Sequence, residues 1–60
     1  MESCTLINES TAEKFIFTVE GPSVRIDFFK NDIPEHHLIM GIDASAELKK
    51  KLLNNGSKVL

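Results

Sequence analysis

Two alternating apolar runs, separated by only Gly21-Pro22, constrain this chain more than any other feature. Residues 14–20, Lys-Phe-Ile-Phe-Thr-Val-Glu, are β-branched and aromatic, as are residues 23–30, Ser-Val-Arg-Ile-Asp-Phe-Phe-Lys. Side chains alternate across a strand, so Phe15, Phe17 and Val19 share one face, and so do Val24, Ile26 and Phe28. A two-residue loop pairs Glu20 with Ser23. It then sets Val19 against Val24, Phe17 against Ile26 and Phe15 against Phe28. A slip of one residue would place Phe15 and Phe17 opposite polar side chains, so loop length and pattern select the same register.

The remaining elements follow from weaker signals. Residues 4–8 read as a short strand. Asn8 to Glu13 break the pattern, and Ser10 with Glu13 has the spacing of a capping box, which predicts a turn or a single helical turn. Residues 30–35 read as a loop, with Pro34 keeping Ile33 out of the helical region. His37 to Ile42 form a further strand, with Leu38, Met40 and Ile42 on the core face and His37, Ile39 and Gly41 outward. Asp43 is the expected N-cap of a helix over 44–54, ended by Asn55-Gly56. Ala44, Leu48 and Leu52 are its expected sheet-facing stripe. The tail, 57–60, is expected to fray unless a partner holds it. The fold class is thus α+β: a three- or four-stranded, mostly antiparallel sheet on one C-terminal helix, in the order β-β-β-β-α, as a single domain over residues 1–60.

One helix of that length spans about 16 Å and covers one side of the sheet. The Phe28-Phe29 pair sharpens the consequence, because adjacent strand residues cannot enter the same core. The second face carries Ile16, Phe29 and Ile39, with Arg25 and His37 at its rim. We expect this face, or a strand edge beside it, to be a protein–protein interface. The competing possibility is that Leu6 and Ile7 fold over it.

Composition narrows the function. With 42% hydrophobic residues and a net charge of −2, the chain is an ordinary globular one. No stretch reaches the roughly 20 apolar residues of a membrane span, and the first residues lack the basic region of a secretory leader. Lone Cys4 allows no internal disulfide and suits a cytoplasmic protein. A domain this small buries only about 60% of its unfolded surface, and small domains commonly need a disulfide, a metal or a partner chain. An internal disulfide is ruled out. Adjacent His36 and His37 diverge in a strand, and zinc needs three or four convergent ligands, so no metal or cofactor is expected. A pH-sensitive contact of His37 beside Asp27 is one further expectation. Association is left as the source of extra stability, and a homodimer is expected.

No catalytic constellation emerges from spacing. Gly21, Gly41 and Gly56 are too far apart for a phosphate loop, and Cys4 has no evident base. No enzyme activity is expected. Lys49, Lys50, Lys51 and Lys58 form the one basic cluster and support an alternative, a nucleic-acid-binding module. Three successive lysines spread around a helix, however, and the net charge is acidic. The leading expectation is a small cytoplasmic interaction module, homodimeric, that serves as an accessory regulator or inhibitor of a larger protein.

Overall fold

The computed structural model describes residues 2–60. Its elements are β1 (Ser3–Asn8), β2 (Glu13–Glu20), β3 (Ser23–Lys30), β4 (Ile33–Gly41), α1 (Ile42–Asn54) and β5 (Lys58–Val59). They form one five-stranded antiparallel sheet in the order β4-β3-β2-β1-β5. The first four strands are a meander. α1 then carries the chain back from the β4 edge to the β1 edge, across one face.

The central hairpin has the expected register: Glu20 opposes Ser23, Val19 opposes Val24, Phe17 opposes Ile26 and Phe15 opposes Phe28. Gly21 takes φ 63°, as the first position of a primed two-residue turn requires. Residues 4–8 join the sheet within β1, and Leu6 is fully buried there. The β1–β2 connection is a turn with no capping box. Ser10 N–H donates to Asn8 Oδ1 instead (3.1 Å), and the Thr11 hydroxyl donates to Glu13 (2.6 Å).

Several expectations need correcting. The loop expected over 30–35 is only Asn31-Asp32, both at positive φ (53° and 64°), which is a two-residue turn closed by the Lys30–Ile33 pair. Asn and Asp tolerate this region because their short polar side chains offset its cost locally. β4 therefore begins at Ile33. Pro34 opposes Phe29, while His36 opposes Phe28, which leaves Glu35 as a bulge. The extra residue restores Leu38 and Met40 to the helix side of the sheet and His37 and Ile39 to the other.

The helix starts earlier than expected. Gly41 is its N-cap, at φ −70° and ψ 164°, with no side-chain cap, and Asp43 lies in the first turn. Ile42 is thus helical, not a strand residue, and it is exposed. The sheet-facing stripe is Ser45, Leu48 and Leu52; Ala44 is exposed. Ser45 is buried at no polar cost because its hydroxyl donates to the Ile42 carbonyl at 2.8 Å. The stop at Asn55-Gly56 is a Schellman motif: Ser57 N–H donates to Leu52 O (3.0 Å) and Gly56 N–H to Leu53 O (3.5 Å), with Gly56 at φ 102°.

The tail is pinned without a second chain. Val59 and Lys58 pair with Leu6 and Ile7 as β5, and Leu60 N–H donates to Thr5 O at 2.9 Å. Lys58 also pairs with Glu9 at 2.7 Å.

The core is Leu6, Phe15, Phe17, Val24 and Ile26, with Cys4, Phe28, Met40, Leu48 and Leu52 packed against it. Val19, Leu38 and Ile42, all expected inside, are exposed. For Leu38 the reason is reach. Leu48 and Leu52 of α1 pack against the cluster of Leu6, Phe15, Phe17, Val24 and Ile26, and Leu38 on the edge strand lies outside it.

Candidate functional site

The face of the sheet away from α1 is built from three rows of opposed residues. Ile7, Lys14, Phe29 and Pro34 form one. Thr5, Ile16, Asp27 and His37 form the next. Ser3, Thr18, Arg25 and Ile39 form the third. All five residues read from sequence as the interface, Ile16, Arg25, Phe29, His37 and Ile39, lie on this face. Ile16 and Phe29 are half-buried by their neighbours; Arg25, His37 and Ile39 are exposed. Ile39 leaves 63% of its surface in solvent.

Among the described residues the N-terminal segment does not cover the face. β1 extends the sheet sideways, so Ile7 opposes Lys14 and adds a fourth apolar side chain to the face itself. The competing possibility, that Leu6 and Ile7 fold over the face, is thereby excluded, and Ile7 is a residue of the face that sequence reasoning missed. The signal that could have found it is strand alternation, since Leu6 and Ile7 are adjacent and only one of them can enter the core.

Charged side chains frame the apolar ones. Lys14 Nζ sits 4.7 Å from the centre of the Phe29 ring and 3.8 Å from Asp32. The first is a cation–π contact that also shields one side of the ring. Arg25 Nε donates to Asp27 Oδ1 at 3.2 Å. Asp27 opposes His37 in register, but its hydrogen bond comes from Arg25. A hollow beside the Glu35 bulge, lined by Arg25, Asp27, Phe29, Pro34, Glu35 and His37 among others, gives this end of the face relief.

The two histidines separate, as alternation requires. His36 stacks on Phe28 on the helix side, with ring centres 4.4 Å apart and planes 17° from parallel. Phe28 in turn meets Phe15 edge to face at 5.6 Å. His37 stands on the open face. Among the described residues no group of three or more His, Cys, Asp or Glu could hold a metal ion. Cys4 is a free, half-buried thiol beside the core.

The four lysines of the alternative reading do not converge. Lys49 is half-buried, with Nζ 5.8 Å from the centre of the Phe17 ring, where its stem covers core surface. Lys50 and Lys51 are exposed on the helix. Lys58 opposes Ile7 on the other side of the sheet and is neutralised by Glu9. That hydrogen bond, and the Lys58 charge behind it, hold the Glu9 carboxyl below its ordinary value of 4.5.

No helix among the described residues is long and apolar enough to cross a membrane. No family model, no curated protein and no solved structure matches the chain.

Proposed function

We propose that this chain is a small protein-interaction module whose open sheet face binds another protein. Its work in this reading is binding rather than catalysis, as an accessory regulator or inhibitor of a larger protein in the cytoplasm, and the chain also self-associates. One observation carries the reading: Ile7, Ile16, Phe29 and Ile39 stand on one uncovered face, framed by Lys14, Arg25, Asp27 and His37. An apolar centre within a charged rim is the anatomy of a protein interface.

The test is site-specific photo-crosslinking in the cells that make the protein. A benzophenone side chain replaces Phe29 in one variant and Lys50, on the outer side of α1, in another. The reading predicts a discrete product with a second protein from position 29 and none from position 50. No product from position 29, or equal products from both, counts against it.

A further inference from the structure

The exposed edge of β4 is the most unusual feature of the molecule. Sheet edges are normally kept from pairing by shortness, proline, bulges or charge. The opposite edge obeys this: β5 has two residues, and one is Lys58. β4 has nine residues and is exposed along nearly its whole length. Its first part is blunted by Pro34 and the Glu35 bulge. Its second part, His36-His37-Leu38-Ile39-Met40-Gly41, has no lysine, arginine, carboxylate or proline.

The direction of each main-chain group on that edge follows from the hairpin closures. Glu20–Ser23 and Lys30–Ile33 both close two-residue turns, and such closing pairs exchange hydrogen bonds. Along β3 the odd-numbered residues therefore bond to β2, and the even-numbered ones bond to β4. The bonded partners on β4 are Ile33, His36, Leu38 and Met40. The N–H and C=O groups of His37 and Ile39 point away from the sheet.

We propose that this edge pairs with the same edge of a second copy, in an antiparallel register centred on Leu38. The proposal rests on the self-association in the functional reading above and gives it a place and a register. Only this register uses both outward residues fully. His37 faces Ile39 of the second copy, and Ile39 faces its His37, which makes four main-chain hydrogen bonds. Leu38 faces Leu38 on the helix side, and each His36 faces a Met40. Leu38 has 44% of its surface to cover there. A register centred on His37 would oppose the two imidazoles, and one centred on Ile39 would use the helix-capping Gly41. In the Leu38 register no like charges are opposed, a condition for stable cross-strand pairs. The pairing is self-complementary, and the short, charged β5 edge offers no continuation. The assembly closes as a two-fold dimer with a ten-stranded sheet instead of growing into a filament.

The experiment is a cysteine scan read with sedimentation equilibrium. Cys4→Ser removes the native thiol, and His37→Cys, Leu38→Cys and Ile39→Cys are introduced one at a time. Facing residues at a non-bonded antiparallel pair have Cα atoms about 4.5 Å apart, within disulfide reach. At positions 37 and 39 each cysteine is offset from its copy by two residues, about 7 Å along the strand, which is out of reach. Leu38→Cys is expected to crosslink under mild oxidation at least about tenfold faster than the other two. Ile39→Pro removes one outward N–H that the monomer does not use, and it should raise the dimer dissociation constant at least about tenfold. Fastest crosslinking at position 37 or 39 would overturn the register. A dimer that resists Ile39→Pro and crosslinks at none of the three would overturn the edge while leaving self-association standing. A chain that stays monomeric would remove self-association and edge together, and crosslinking from position 29 would then decide the face alone.

Discussion

The same methylene removed from the two faces of the sheet should have very different consequences. Ile26→Val and Ile39→Val each delete one CH₂ and keep the β-branched shape that suits a strand. Ile26 is fully buried between Phe17 and Leu38 in register, beneath the helix. Its loss combines about 0.8 kcal/mol of transfer with a cavity, for a total of about 1–1.5 kcal/mol. Ile39 is 63% exposed, so little more than a third of that transfer applies, or about 0.3 kcal/mol. A 60-residue chain has a stability of about 3–9 kcal/mol, so both variants stay folded. The assay is urea unfolding followed by far-ultraviolet circular dichroism, because the chain has no Trp or Tyr for fluorescence. With a slope of about 1 kcal/mol/M, Ile26→Val should lower the midpoint by about 1 M and Ile39→Val by about 0.3 M. The comparison belongs at a dilution where the chain is monomeric. Edge pairing adds that the Ile39→Val shift grows as concentration rises. Equal shifts at high dilution would refute the assignment of one covered and one open face.

Other perturbations probe separate parts of the account. A benzophenone placed at Ile16 should also capture the partner, and Phe29→Asp in that variant should abolish the product while the β signal in circular dichroism persists; loss of the folded signal would place Phe29 in the core. Gly56→Ala should cost about 1–2 kcal/mol in urea unfolding, because φ 102° is unfavourable for any L side chain, while the new Cβ would meet only Asn8 Nδ2 at 3.7 Å. The Glu9–Lys58 pair gives the tail a pH dependence. A carboxyl held below its ordinary 4.5 when folded contributes stability above that value and loses it as pH falls through the lowered one. Amide protection of Leu60, whose N–H is bonded to Thr5 O, should fall as pH drops below about 4.5, and Lys58→Ala should flatten that profile.

The legible parts of the fold were those where two independent signals agreed. In β2 and β3, apolar alternation and a two-residue turn specify one register, and the structure has it. The same alternation put Ile16, Phe29 and Ile39 on a common face with Arg25 and His37. Single signals had mixed outcomes: residues 4–8 do join the sheet and Asn55-Gly56 does end the helix, but the Asp43 cap misled. Asp43 looks like an N-cap, but Gly41 already has the extended backbone that an N-cap needs, and the helix starts two residues early. That shift moves the buried stripe from Ala44 to Ser45, whose self-satisfied hydroxyl hydropathy does not reveal. Leu38 and Ile42 have the composition of core residues. Leu38 lies outside the cluster on which the helix packs, a tertiary fact absent from local pattern, and Ile42 is exposed as the opening residue of the helix instead of the last of β4. β5 is held by main-chain bonds to β1 and an ion pair with Glu9, so its residues carry no strand signature. The bulge at Glu35 in β4 is likewise a feature that alternation alone does not show.

The most direct test of the central claim, that the surface left open by this sheet is used for association, is sedimentation equilibrium of the pure chain over a dilution series. The account predicts a reversible shift between the 6.7 kDa chain and twice that mass, with β structure retained in both. A mass of 6.7 kDa at every concentration would contradict self-association through the β4 edge.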